Sequence, residues 1–277
     1  MSARVLLGLR NNERLAARRR TRRRRILLAL GVLVLAVCAG ALVGLQQNAV
    51  RISRVEVFGA DPSLAVYATE AMRGSYLGIV PRDSIFFFPE AEIRANIVAA
   101  HRDIAALSIF RSGFDSLSIK VTNRTAITRW CGLAPTVGVE EYCYVFDANG
   151  VIFAAAASTT ETINPFKLYA PLAASTSEPL GATISNAEDL PATFDFARQL
   201  GTLGSPASSV VIHDGEVSDY LYSGTRVTYV LGNEQNAFTA LVSARDTFNL
   251  TDGSLIYVDL RFDGKVYLKK KSDTVAE

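Results

Sequence analysis

Histidine and cysteine are nearly missing from this chain, which has two of the first and three of the second among 277 residues. Zinc sites draw four ligands, mostly from these two residue types, at short spacings. No such spacing occurs here. Nucleophile elbows, phosphate loops and zinc-protease helices are absent too. That excludes hydrolases and nucleotide enzymes built on these motifs. His101 falls in a helix and His213 at a strand end, with Asp214 and Glu216 beside it as turn residues. The enzymatic alternative that remains is a membrane-anchored extracytoplasmic hydrolase assembled from dispersed residues. No catalytic, metal-binding or cofactor-binding residue is assigned, and neither a cofactor nor a small-molecule substrate is expected.

Charge is missing altogether from Ile26 to Leu45. Twenty helical residues at about 1.5 Å each reach about 30 Å, the thickness of a bilayer's hydrocarbon core. Arginine fills Arg18 to Arg25 except at Thr21, and arginine-rich flanks stay on the cytoplasmic side. The segment therefore reads as an uncleaved single-pass anchor, with residues 1–25 as a basic cytoplasmic tail. A cleaved signal peptide would use Ala39-Gly40-Ala41, but its apolar core is usually only about 7–15 residues long. This one continues past that site through Leu42, Val43 and Leu45. A lipid anchor at Cys38 is disfavoured by Val37 before it and by its position in mid-span.

The net charge of +2 conceals an asymmetry: residues 1–25 hold ten arginines and one glutamate, which leaves 19 basic and 26 acidic residues for the rest. The outer part is thus acidic and has no basic stripe for nucleic acid. Setting topology is a sufficient role for the basic block.

Along the outer part, Arg51–Phe58 reads as a strand, with Val55 and Val57 in alternation. Asp61-Pro62 starts a helix whose apolar face is Leu64, Tyr67, Ala68, Ala71 and Met72, and Gly74 ends it. A loop from Leu77 to Phe88 carries Phe86-Phe87-Phe88, expected to close the core beneath a second helix. That helix opens at Pro89 and presents Ile93, Ile97 and Val98. Strands Ile104–Arg111 and Phe114–Asn123 follow. This order predicts a small α+β unit with helices on one face of a three-stranded sheet.

A strand-rich region comes next. Its predicted strands are Ala126–Cys131, Cys143–Phe146, Val151–Ala154, Ser209–His213, Glu216–Tyr222 and Thr225–Leu231. Helices are predicted over 189–200 and 234–248. Residues 155–188 are rich in Ala, Ser and Thr and read as an irregular connection. Cys131 and Cys143 flank a hairpin connection. They either bond across it in an oxidising compartment or remain two half-buried thiols, and both readings stay open.

The last hairpin joins Leu255–Arg261 to Lys265–Lys270. Ile256, Val258 and Leu260 are apolar and alternate with Tyr257, Asp259 and Arg261. A two-residue Asp263-Gly264 loop would set Leu260 against Tyr267. A three-residue loop with Gly264 left-handed sets Leu260 against Val266, Val258 against Leu268, Tyr257 against Lys269 and Asp259 against Tyr267. The second matches apolar to apolar and is preferred. An unpaired side on the final strand would be a template for another chain, and Lys265, Lys269, Lys270 and Lys271 would restrain promiscuous pairing and attract an acidic partner.

Four segments carry a resemblance: Arg51-Ile-Ser-Arg-Val-Glu-Val-Phe-Gly59, Leu117-Ser-Ile-Lys-Val121 with Ile127–Trp130, Tyr144-Val-Phe-Asp-Ala-Asn-Gly-Val-Ile-Phe153 and, most of all, Tyr257-Val-Asp-Leu-Arg-Phe262. With the order of elements over nearly the whole chain, they resemble the FtsQ/DivIB family of bacterial cell-division proteins. The chain departs from the family pattern at Asn123–Ala126 and in its cysteine pair. The resemblance implies an α+β fold with a single transmembrane helix at 26–45. A POTRA domain (β-α-α-β-β) at 51–124, an FtsQ-type β domain with two helices at 125–271 and a tail at 272–277 complete the layout. It further implies a non-enzymatic divisome scaffold in the inner membrane at the division septum. Such a scaffold would dock an FtsB/FtsL-type coiled-coil partner by strand addition at the last hairpin. Carried over by position, the partner-binding residues are Arg261, Phe262, Gly264, Lys265, Val266, Tyr267, Leu268 and Lys269, with Arg261 pairing a partner carboxylate. A POTRA-bearing secretion or transport component is the alternative, though such proteins usually repeat that unit.

Overall fold

In a computed structural model the charge-free segment 26–45 belongs to one uninterrupted helix, α1 (Ala3–Leu45), which runs back through the arginine block. Residues 3–136, 141–157 and 159–271 are described, with side chains from Arg22 onward. The tail at 272–277 lies outside them. Arg22–Leu45 is long and apolar enough to cross a membrane, and its most apolar 18-residue stretch has a mean hydropathy of 2.9 with no residue buried. The chain divides into two compact units, residues 1–101 with 106–122 and residues 102–105 with 123–277.

Beyond α1, the first unit holds β1 (Arg54–Phe58), a 3₁₀ turn at Pro62–Leu64 capped by the Asp61 carboxylate, and α2 (Ala65–Ala71). A short hairpin follows, β2 (Ser75–Tyr76) and β3 (Val80–Pro81), then α3 (Glu90–Ala100), β4 (Ile104–Arg111) and β5 (Ser116–Asn123). The three-stranded sheet has the order β1-β5-β4, with β1 parallel to β5. Leu117, Ile119 and Val121 of β5 are buried, as are Ala68, Ala71, Ile93 and Ile97 of the helices. Gly59, just past β1, sits at φ 85° with room for no side chain, because a Cβ there would lie 2.3 Å from the Val121 carbonyl oxygen.

Two expectations fail in this unit. Phe86 and Phe87 are each about half exposed, and Ser84 and Ile85 are the buried residues of that segment. The backbone explains it: the Ile85 N–H donates to the Val50 carbonyl, which turns Ile85 inward and the next two rings out. Val98 is also exposed, since the buried stripe of α3 is Ile93 and Ile97 alone.

The second unit is built on a nine-stranded mixed sheet with two helices. Its strands are β6 (Thr128–Trp130), β7 (Tyr144–Phe146), β8 (Ile152–Ala155), β9 (Lys167–Tyr169), β10 (Ala207–His213), β11 (Glu216–Leu221), β12 (Arg226–Val230), β13 (Leu255–Asp259) and β14 (Tyr267–Lys270). The order across the sheet is β14-β13-β12-β11-β10-β9-β6-β7-β8. Helices α4 (Leu190–Thr202) and α5 (Glu234–Ser243) bury Phe194, Phe196, Ala197, Leu200, Ala237 and Leu241 in the core beside Val210, Val217, Val227 and Tyr229.

Within 155–188, expected to be an irregular connection with little regular structure, the structure adds one short strand, β9. Its three residues run parallel to both β6 and β10 and join the two halves of the sheet. A three-residue strand set between Pro165 and Pro171 is too short to show a period. α5 stops at Ser243, five residues short of its expected end, and a 3₁₀ turn at Arg245–Thr247 follows. Cys131 and Cys143 are joined by a disulfide across the β6–β7 connection.

Leu168 is fully buried at the centre of β9. Leu168→Ala should therefore cost about 2–5 kcal/mol in a denaturant titration of the second unit. A loss below about 1 kcal/mol would show that β9 does not hold the sheet together.

Candidate functional site

Sheets expose two edges, and here they differ. At β8 the edge is covered, since the Ile152 N–H donates to the Ala182 carbonyl and the Gly181 N–H to the Ile152 carbonyl. At the other end β14 pairs with β13 alone among the described residues, so its outer backbone groups are free to template a further strand.

The hairpin that presents this edge has the register preferred from sequence, with Tyr257 opposite Lys269, Val258 opposite Leu268 and Asp259 opposite Tyr267. The Lys265 N–H donates to the Phe262 carbonyl at 3.0 Å, closing a four-residue turn. Gly264 sits third in it at φ 65°, a conformation glycine adopts without steric cost. The ladder stops at Asp259 and Tyr267, so Leu260 does not pair with Val266. Leu260 instead donates its N–H to the Thr228 carbonyl of β12.

A bulge between Leu255 and Tyr257 corrects the expected alternation. It adds one residue to β13, so Leu255 turns into the core and Ile256 is left 40% exposed. Val258 and Leu260 remain inside.

On β14, Val266 and Leu268 are half-buried against the core, while Tyr267 and Lys269 are exposed. The Tyr267 ring meets Phe262 edge-on at 5.2 Å. Lys265, Lys270 and Lys271 are exposed as well, so the edge is basic. Between this hairpin and α5 lies an open cleft of about 670 Å³, lined by Asn236, Thr239, Ala240, Ser243, Gly264 and Val266.

Arg261 was expected to offer its guanidinium to a partner. It is already engaged within the chain: Nε and Nη2 donate to the two Asp259 oxygens at 2.9 and 2.6 Å, and Nη1 donates to both Glu216 oxygens at 2.9 and 3.0 Å. This fork ties β13 to the start of β11. The Arg261 hydrogen bonds hold the Asp259 carboxyl below the usual carboxylate range, and Asp259 and Glu216 push the arginine further up.

The remaining titratable clusters carry less. His213 meets Asp214 in solvent. Cys131, Glu141 and Cys143 lie close enough to share an ion, but both sulfurs are spent in the disulfide. Glu141 instead accepts from Lys167 Nζ at 2.7 Å and from the Tyr169 hydroxyl at 2.8 Å, both on β9.

Sequence reasoning missed one group. Asp219 is fully buried under the helices, beside Tyr229 and Glu234, and no hydrogen bond of normal geometry reaches either carboxylate oxygen. Burial pushes its pKa well up; the Tyr229 hydroxyl opposes this and the Glu234 charge adds to it. Its place in Val217-Ser-Asp-Tyr-Leu221, at an inward position, was the available signal.

Comparison with protein-family models finds no match, and comparison with curated proteins finds none that is significant.

Two carboxyls should titrate stability in opposite senses. Asp259 is depressed in the folded state, so it stabilises above about pH 4 and that stability fades as pH falls through its folded pKa. Asp259→Asn should cost about 1 kcal/mol at pH 7, with the partial exposure of Arg261 keeping the loss small, and less near pH 2. Equal losses at both pH values would refute the pairing. Asp219 is raised, so the folded state holds a proton the unfolded state has released, and it destabilises increasingly above about pH 4. Asp219→Asn should flatten the decline in stability between pH 4 and 7. An unchanged slope would mean that Asp219 is not the group responsible.

Proposed function

We propose that the chain is a non-catalytic scaffold of the FtsQ/DivIB kind, linking early and late proteins of the bacterial cell-division machinery. On this reading α1 anchors it in the cytoplasmic membrane at the division septum, with the arginine block inside the cell. The first unit beyond α1 is a POTRA domain and the second the β domain. β14 docks a strand of an FtsB/FtsL-type coiled-coil protein. The observation that carries the reading is the open, lysine-rimmed edge of β14, at the end of the segment that most resembles the family.

Strand addition draws affinity from backbone hydrogen bonds and selectivity from alternate side chains. Tyr267 and Lys269 are the side chains a partner would read, and Val266 and Leu268 hold the strand to the core. A partner's carboxylates would meet Lys265, Lys269 and Lys270 before Arg261, whose fork is filled by Glu216 and Asp259. The Arg261 fork then stiffens the hairpin that presents the edge. A disulfide outside the membrane fits an oxidising compartment.

Co-purification of native membrane partners tests this with three chains: the full protein, the charge-reversed Lys265→Glu/Lys269→Glu/Lys270→Glu variant, and a truncation after Asp263. Unfolding of the second unit is followed in each. The full chain should capture small coiled-coil division proteins, and the folded variants on the order of tenfold less. Undiminished capture by both variants would move the site elsewhere. If none of the three chains captured a division protein, the family reading itself would be wrong.

A further inference from the structure

We propose that the membrane-proximal end of the first unit inserts into the outer face of the bilayer that α1 crosses, through Leu77 and Ile79 at the β2–β3 tip and Phe114 in the β4–β5 turn. This rests on the reading of α1 as a membrane span. Turns usually carry Asn, Asp, Ser or Gly. The β2–β3 tip reads Leu77-Gly78-Ile79 instead, closed by the Ile79 N–H on the Tyr76 carbonyl at 3.0 Å. Leu77 is 96% exposed, and Ile79 52%. The β4–β5 turn carries Phe114 at 76%. Bulky apolar side chains left this open on two separate turns of one small unit call for a covering surface.

The backbone shows where that surface lies. β3 contacts α1, and the pattern of exposure along the helix puts that contact at its last turn. There Leu45 is partly buried and Leu42 is 37% exposed, whereas the large apolar residues from Ile26 to Val37 are at least 53% exposed. The segment after the hairpin is stitched to the membrane exit: the Ile52 N–H donates to the Asp83 carbonyl at 2.7 Å and the Ile85 N–H to the Val50 carbonyl at 3.0 Å. Arg51 clasps the Asp83 carboxylate at 2.6 Å. The β4–β5 turn is tied to the same exit, because the Ser53 N–H donates to the Asp115 carbonyl at 2.8 Å. Both apolar turns therefore flank the point where the chain leaves the hydrocarbon. Tyr76, with the Arg82 guanidinium 5.4 Å from its ring centre, adds an amphipathic pair of the kind found at headgroup depth.

Presented by an anchor that never leaves the surface, such turns insert at high effective concentration, and a few apolar side chains suffice. The unit is then held at the span and at two turns, which stops it swivelling about α1. A lipid surface is favoured over a protein partner because both turns are fixed to the segment that emerges from the bilayer.

The test is depth-dependent quenching on the full chain. Cys38 is the free thiol among the described residues, so Cys38→Ser provides the background. Single cysteines are placed by Leu77→Cys, Phe114→Cys, Gly44→Cys and Thr122→Cys and labelled with an environment-sensitive fluorophore. The protein is reconstituted in phosphatidylethanolamine/phosphatidylglycerol vesicles containing lipids nitroxide-labelled near the headgroup. Gly44 reports the span. Exposed Thr122 lies six residues along β5 from Ser116, about 20 Å from the exit, and reports solvent. Labels at 77 and 114 should be quenched as strongly as at 44 and several-fold more than at 122. Quenching at 44 but at neither turn overturns the insertion and leaves the anchor standing. No quenching at 44 overturns the anchor reading and the insertion with it. Labels at 77 and 114 that are shielded from water yet unquenched would mean that protein covers the turns, which also overturns the proposal.

Discussion

Three residues hold the second unit's sheet in one piece. Lys167, Leu168 and Tyr169 form the only ladder between β6-β7-β8 and β10 to β14 among the described residues, parallel to its neighbour on each side. Parallel neighbours cannot be joined by a tight turn, so β9 has to arrive by long connections. Its position is instead set from outside. The Trp130 indole N–H donates to the Ala170 carbonyl, the Thr128 hydroxyl bonds the Phe166 carbonyl, and Glu141 takes Lys167 and Tyr169 together. Glu141 lies two residues before Cys143, so the disulfide that closes the β6–β7 connection also restrains the carboxylate that holds β9.

This explains which parts of the fold could be read in advance. The final hairpin was legible down to its register, because two alternating strands and a glycine turn admit few pairings and only one matched apolar to apolar. Its bulge was not, since Leu255 and Ile256 are equally apolar and only the ladder decides which faces in. β9 gave no period, and its partners are more than thirty residues away in sequence. The β2–β3 hairpin was hidden for a different reason: it lies where a loop was read, its strands are two residues long, and its apolar tip gives no sign that Leu77 is the most exposed large apolar side chain described. The Phe86–Phe88 run misled in the same way. Hydrophobicity alone does not say which side of the backbone a residue takes.

Of the candidate site, the edge strand and its lysines were legible, while the state of Arg261 was not. Its two partners come from Asp259, two residues before it, and from Glu216, forty-five residues before it on β11. The nearer carboxylate could have been suspected; the farther depends on the parallel pairing of β12 with β13. An arginine so engaged fixes the hairpin against β11 and is poorly placed to be a partner's first contact.

An open edge is an aggregation hazard as well as a binding surface. β14 has only a short ladder to β13, and its two inward side chains are only half-buried. It is therefore among the least secured strands of the sheet, in the class of elements that open locally before the rest unfolds. Four exposed lysines around it oppose pairing with a second copy of the same basic edge and leave pairing with an acidic strand favourable. A strand added there would supply the missing second ladder and stabilise β14 as it binds. Weak anchoring of β14 and, on the proposed strand-addition reading, selectivity for an acidic partner share one origin, an edge finished on one side only and guarded by charge of one sign.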